Sequence, residues 1–192
     1  MADKEFKFNT ANQKKAKEII ARYPDGREKS AIMALLDLAQ RQNEGWLSKE
    51  ALDYIAKYLN IAVIRVYEVA SFYSMYNLQP VGKFLLQVCT TTPCMLRGSD
   101  AILKACEKHL GVSLNQTTID KFFTIKQVEC LGACVNAPIV QINDDYYEDL
   151  TPDKIIKILE TLKEGKTVTA GSQIGRNASE PVGYNEEVKD GA

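Results

Sequence analysis

The chain has 192 residues, 45% of them hydrophobic and 26% charged, the balance of a globular protein with room for one ordinary domain or two small ones. Its 24 basic against 25 acidic residues provide no electrostatic pull toward nucleic acid or an anionic membrane, and its apolar runs are too short to span a bilayer. The opening MADKEFKFNT lacks the apolar stretch of a secretory signal, and Asp3 and Glu5 argue against a transit peptide.

The first 80 residues read as helices. Thr10, with Gln13 three positions on, forms a capping box that opens a helix over residues 10–22. Pro24 and Gly26 break the chain. A second helix over 27–42 puts Ile32, Leu35, Leu36 and Ala39 on one stripe, and Gly45 stops it. Ser48 caps a third, whose Ala51, Leu52, Ile55, Ala56 and Leu59 keep the spacing of a buried face. A fourth covers 63–73, where Val66, Val69, Ala70 and Tyr73 fit a period of 3.6 better than a strand over 61–66. Residues 1–80 are therefore expected to form a small helical bundle for docking to a partner.

The pattern changes across 77–82, which contains Pro80 and Gly82. KFLLQVC, residues 83–89, reads as a buried strand. Ser99 caps a helix that Gly111 ends, and residues 124–129 form a second strand. Residues 139–142 and 146–148 flank Asn143-Asp144-Asp145 as a hairpin. Thr151 and Pro152 open a last helix to about residue 163, with Ile155, Ile156, Leu159 and Leu162 on its apolar stripe. A right-handed crossover makes the first two strands parallel, and the hairpin adds two antiparallel ones. The predicted fold class is α+β: an N-terminal helical bundle, then a thioredoxin-like β-α-β-β-α domain over 81–164. Residues 165–192 show no periodicity and hold five glycines. They read as an extended tail, disordered alone or wrapped on a partner.

Four of the five cysteines form two pairs, Cys89-x4-Cys94 and Cys130-x3-Cys134, with 35 residues between them. In a reducing compartment such pairs are more often metal ligands or redox centres than disulfides. Cys106, inside the helical stretch 101–110, reads as a small buried hydrophobe. Cys89 ends the first parallel strand and Cys130 directly follows the second, so both loops should leave the sheet at one edge. The spacings are compatible with zinc, but the loops favour an anionic cluster. Residues 90–99 bring hydroxyls, Arg97 and a helix start, and Gly132 allows backbone amides near sulfur. Neither pair has the C-x-x-C spacing of thiol–disulfide chemistry.

The strings VCTTTPCMLRGS and VECLGACVNAPIVQINDDYYEDLT, with RVYEVASFYSMY in the fourth helix and GSQIGRNASEP in the tail, closely resemble a known family. It is the thioredoxin-like [2Fe–2S] ferredoxin subunit of respiratory NADH:quinone oxidoreductase, complex I. The resemblance implies a ferredoxin domain in which Cys89, Cys94, Cys130 and Cys134 ligate one [2Fe–2S] cluster, with Cys106 outside the set. It implies a partner flavoprotein subunit that binds NADH and FMN, other peripheral-arm subunits, and no catalytic residue on this chain. Neither nucleic acid nor direct membrane insertion is expected. The implied location is the cytoplasmic side of a bacterial inner membrane, or the matrix side if the protein is organellar.

The residues agree with a division of labour: no GxGxxG follows a strand and no P-loop occurs. His109 reads as helix-terminal, and Arg97 as an interface charge or a cation beside the cluster. The related diaphorase subunit of an NAD-linked hydrogenase or formate dehydrogenase is the alternative. From a different class, the alternative is a zinc-stabilised interaction module.

Overall fold

In the computed structural model, which describes residues 5–177, the chain divides into two units between Lys83 and Phe84. The first is helical: α1 (Thr10–Ile20), a 3-10 turn (Glu28–Ala31), α2 (Ile32–Gln42), α3 (Lys49–Tyr58) and α4 (Val63–Phe72). Leu35, Leu36 and Ala39 of α2, Ala51, Leu52, Ile55 and Ala56 of α3, and Val66 and Ala70 of α4 are buried together. Each Leu or Ile in that core stabilises by roughly 1.5–3 kcal/mol over its exposed state. Phe8 reaches the core from the segment before α1, edge-on to Tyr54 at 5.2 Å and to Tyr58 at 6.0 Å. Ser48 caps α3 as expected, accepting from the Ala51 N–H at 3.2 Å.

Two local details differ from the sequence reading. The N-cap of α1 is Asn9, whose side chain accepts from the Asn12 N–H, and Thr10 is already helical. Gln13 does reach back, but donates to the Phe8 carbonyl. Residues 27–42 are not one helix, because Glu28–Ala31 wind more tightly before α2 begins.

The second unit contains β1 (Phe84–Cys89), α5 (Thr92–Leu96), α6 (Ser99–Leu110), β2 (Phe123–Val128), β3 (Val140–Ile142), β4 (Asp145–Glu148), α7 (Pro152–Lys163) and β5 (Gly171–Ser172). Strand order is β2-β1-β3-β4-β5. β1 and β2 are parallel, pairing from Phe84↔Phe123 to Cys89↔Val128. The β3–β4 hairpin joins the other side of β1 antiparallel, turning at Asn143 with φ 55°. α6 and α7 pack on each other, and Ile102, Cys106, Ile155, Ile158, Leu159 and Leu162 bury against Leu86, Val88, Ile125 and Val140. Ile158, rather than the half-buried Ile156, completes the α7 stripe. Thr151 caps α7 with Pro152 in its first turn, as expected.

The crossover from β1 to β2 holds the short helix α5 as well as α6. Gly98, not Ser99, stands at the N-cap of α6, at φ 94°. The chain passes straight from α5 into α6 through this left-handed residue, a conformation that costs glycine little. Ser99 is thereby the first helical residue, and its buried Oγ has no hydrogen-bond partner among the described residues. The aperiodic stretch after Gly165 is not structureless as far as it is described: β5 pairs parallel to β4, Tyr147↔Gly171 and Glu148↔Ser172. Residues 178–192 of the expected tail lie outside the described residues.

Phe8→Ala should destabilise the helical unit by about 3–5 kcal/mol in urea unfolding. The Tyr76 phenol donates to the Met33 carbonyl at 2.8 Å. Burial, with Asp37 and Tyr73 adding to it, pushes its pKa up to about 12. The folded value lies above the unfolded one of about 10. Its contribution is therefore full below pH 10 and lost as pH rises through 12. Tyr76→Phe should flatten the alkaline fall in stability between those limits, and a slope equal to wild type would refute the assignment.

Candidate functional site

Parallel pairing sends the carboxyl ends of β1 and β2 to one edge of the sheet, and both cysteine loops start there. Cys89 is the last residue of β1, its N–H donating to the Ile139 carbonyl at 3.2 Å. The chain then runs through Thr90 and Thr91 into α5, where Pro93 sits in the first turn and Cys94 points inward. Both sulfurs of this pair are buried. The second loop leaves β2 at Val128 and carries Cys130, then Gly132 at φ 82°, then a 3-10 turn over Cys134–Asn136. Cys130 is exposed and Cys134 half-buried. The Tyr146 hydroxyl pins this loop by donating to the Leu131 carbonyl at 2.9 Å, and Gln127 ties the first loop by donating to Thr90 Oγ1.

The thiols interact as two pairs that feel each other. The Cys130 and Cys134 sulfurs are 3.4 Å apart. A tetrahedral metal with sulfur bonds of about 2.3 Å has an edge of about 3.8 Å, so this pair would have to open by about 0.4 Å to share one metal atom. The Gly132 N–H donates to Cys130 Sγ at 3.4 Å, and Cys89 Sγ lies 3.4 Å from Thr91 Oγ1.

Burial opposes ionisation of Cys89, yet hydrogen bonds from the Thr91 hydroxyl and from the Thr91 and Leu131 backbone outweigh it, lowering the pKa below the usual thiol value. Burial, with the bond to Cys89, pushes Cys94 up to about 12. In the second pair the Gly132 N–H and the Cys134 thiol lower Cys130. Cys134 is raised by its bond to Cys130, then by burial and by the charges of Cys130 and Cys89. Within each pair one thiol therefore ionises before the other. Leu131 and Ala133 of the second loop pack against the cluster that holds Cys89 and Cys94, so the two loops form one constellation.

Four sulfur donors with amide and hydroxyl hydrogens around them are a soft set suited to zinc or iron–sulfur chemistry. Together the two pairs supply four sulfur donors, the number a two-iron group takes.

The remaining sequence candidates fall elsewhere. Cys106, on α6, is fully buried in the core shared with α7 and the sheet, its thiol pushed up to about 12 by that burial. His109 borders an open cleft of about 400 Å³ with Ile119, Asp120, Phe123 and Lys163. Phe123 begins β2, so that cleft lies at the opposite end of the sheet from the sulfurs. Arg97 is exposed at the end of α5.

Sequence reasoning missed a polar group behind Cys134. Asn136 is buried and donates to Glu148 Oε2 at 2.8 Å, and Arg176 binds both Asn136 and Asp149. Its one signal in the sequence was the tail string containing Arg176, which no periodicity marks.

The profile of a family described as thioredoxin-like [2Fe–2S] ferredoxin matches residues 16–163. Over 158 residues the chain is 61% identical to a protein of Rickettsia conorii named as a subunit of NADH-quinone oxidoreductase, covering 82% of this chain and 95% of that one. It is 51% identical over 175 residues to NADH dehydrogenase [ubiquinone] flavoprotein 2, mitochondrial, of Dictyostelium discoideum, covering 91% and 71%. Among solved structures, an NAD+-reducing [NiFe]-hydrogenase in the H2-reduced state shares the fold, with a TM-score of 0.57 and 19% identity. That likeness covers 66% of this chain and 22% of the hydrogenase chain.

In the metal-free chain, Cys130 should be alkylated first, at least about tenfold faster than Cys106, because it is both exposed and held below the usual thiol pKa. Mass-spectrometric mapping of partial labelling tests this. Equal labelling of Cys106 would contradict the burial described above.

Proposed function

We propose a function on the premise that the chain belongs to the thioredoxin-like [2Fe–2S] ferredoxin family: it is the electron-transfer subunit of an NADH:quinone oxidoreductase. Relatives at 61% and 51% identity bear that enzyme's name, and they outweigh the hydrogenase likeness, which at 19% identity speaks for fold alone. A [2Fe–2S] cluster held by Cys89, Cys94, Cys130 and Cys134 supplies one-electron chemistry. The convergence of two thiol pairs at one sheet edge is the observation that carries this reading.

The chain's own residues do the rest. β1 and α5 bury the first pair away from water, and the second pair stands at the surface, where a redox partner can approach. The Gly132 and Leu131 amides and the Thr91 hydroxyl supply hydrogens to sulfur, which favours the ionised thiolates a metal needs and tunes the potential. FMN and NADH belong to a flavoprotein partner subunit. The helices of residues 1–80 and the arm of 165–192 dock to it and to other peripheral-arm subunits. Exposed Ile64, Tyr67, Phe72 and Met75 on and just after α4 support such docking, since apolar side chains of this size exposed together mark a covered surface. Among the described residues no helix is long and apolar enough to cross a membrane. The proposed assembly with those subunits would place the chain peripherally on the cytoplasmic face of a bacterial inner membrane, or on the matrix face of a mitochondrial one.

Anaerobically purified protein should be brown and should bleach on reduction. A colourless chain with one zinc per molecule would replace this reading with that of a zinc-stabilised module. Replacing Cys89, Cys94, Cys130 or Cys134 by Ser should disturb or abolish the visible spectrum. Cys106→Ser should leave it intact while costing about 1–3 kcal/mol, because the new hydroxyl is buried in an apolar core. Copurification with an NADH-oxidising flavoprotein tests the partner, and copurification with hydrogenase or formate dehydrogenase subunits would favour the diaphorase instead.

A further inference from the structure

We infer that Arg176 is a positioning residue for the Cys134 side of the sulfur site, holding in place the turn that carries that cysteine. This rests on the reading above, in which Cys134 ligates a [2Fe–2S] cluster.

The four cysteines are not equally fixed by regular structure. Cys89 is locked into β1 by pairing on both sides, and Cys94 lies inside α5. Cys134 follows Gly132, at φ 82°, and opens a three-residue 3-10 turn. That turn is fastened from outside. Arg176 Nη2 donates to the Val135 carbonyl at 2.6 Å and to Asn136 Oδ1 at 2.7 Å, the two residues directly after Cys134. The same nitrogen donates to Asp149 Oδ1 at 2.8 Å. It has two hydrogens and three acceptors, so one bond is shared.

The circuit closes on itself. The Asp149 side chain is 4% exposed, and its second oxygen accepts from Ser172 Oγ at 2.7 Å. Its backbone N–H donates to the Asn136 carbonyl at 2.8 Å. Ser172 Oγ in turn accepts from the Arg176 backbone N–H at 3.1 Å. Three segments distant in sequence, 134–136, 149 and 172–176, are thereby joined at one cation. Asp149 also holds φ 54°, a left-handed conformation uncommon for a residue other than glycine. Because Asp149 balances the guanidinium charge, Arg176 acts on the site through geometry more than through its field.

The test uses the full-length chain with its cluster, comparing loss of the visible chromophore to a chelator and the paramagnetic resonance of the reduced cluster. Arg176→Ala should release the cluster about tenfold faster, the usual scale for losing an outer-shell partner of a ligand. It should also broaden the resonance while leaving the helical melting transition near wild type. Arg176→Lys keeps the charge but cannot span the three acceptors, so its release should fall between the two.

If Arg176→Ala releases at the wild-type rate with an unchanged resonance, the inference fails. If Arg176→Lys matches wild type in both, charge alone suffices and positioning fails. Should Arg176→Ala not fold, Ser172→Ala decides: faster release supports the circuit, and an unchanged rate overturns it. A wild-type chain without a chromophore overturns the cluster reading and this inference with it, whereas a coloured wild type with indifferent variants overturns this inference alone.

Discussion

The parallel pairing of β1 with β2 is the constraint on which the rest of the ferredoxin domain depends. A parallel pair needs a crossover, and here α5 and α6 provide it, with α6 and α7 packed on the sheet. Pairing in the register Cys89↔Val128 ends both strands together, so the two loops begin side by side. A slip of one residue would turn Leu86 and Val88 out of the core, and the apolar burial on that face therefore holds the register. The position of the sulfurs is in this sense a by-product of where leucines and isoleucines must go.

Within the site, the two pairs are held by different means. Backbone ladders and a helix fix the first, in a dry environment. Turns, single hydrogen bonds and a guanidinium fix the second, at the surface. The difference suits an electron carrier. A buried pair keeps solvent from one side, while an exposed pair offers a short path to whatever binds opposite.

Much of this was legible in the residues before any coordinates. The stripe from Ala51 to Leu59 repeats at helical spacing, and burial follows the repeat. Strand order brought the cysteine loops together because parallel strands share an end. What escaped the sequence was local or remote. Asn9 displaced Thr10 as a cap, and Gly98 displaced Ser99, because capping depends on the dihedral angles of a single residue, which composition does not dictate. Ile158 replaced Ile156 because helix rotation against the sheet is settled by packing. Arg176 stood in a recognisable tail string, but its role was hidden for another reason. Its acceptors lie 27 to 41 positions away, and no repeating pattern links a lone arginine in a glycine-rich stretch to the turn it binds.

The central strand β1 has a further consequence, for the order in which the domain matures. Its neighbours come from far along the chain: Cys89 meets Val128, and Leu86 meets Ile142. Non-local pairings of this kind close late, after the entropy of long loops has been overcome. Until they close, Cys89 and Cys94 are separated in space from Cys130 and Cys134. Iron delivered to a growing or half-folded chain would meet two isolated dithiols, each able to capture a stray ion. On the proposed ligand set, the four-sulfur cradle would exist only once the sheet does, and cofactor loading would belong to the finished fold.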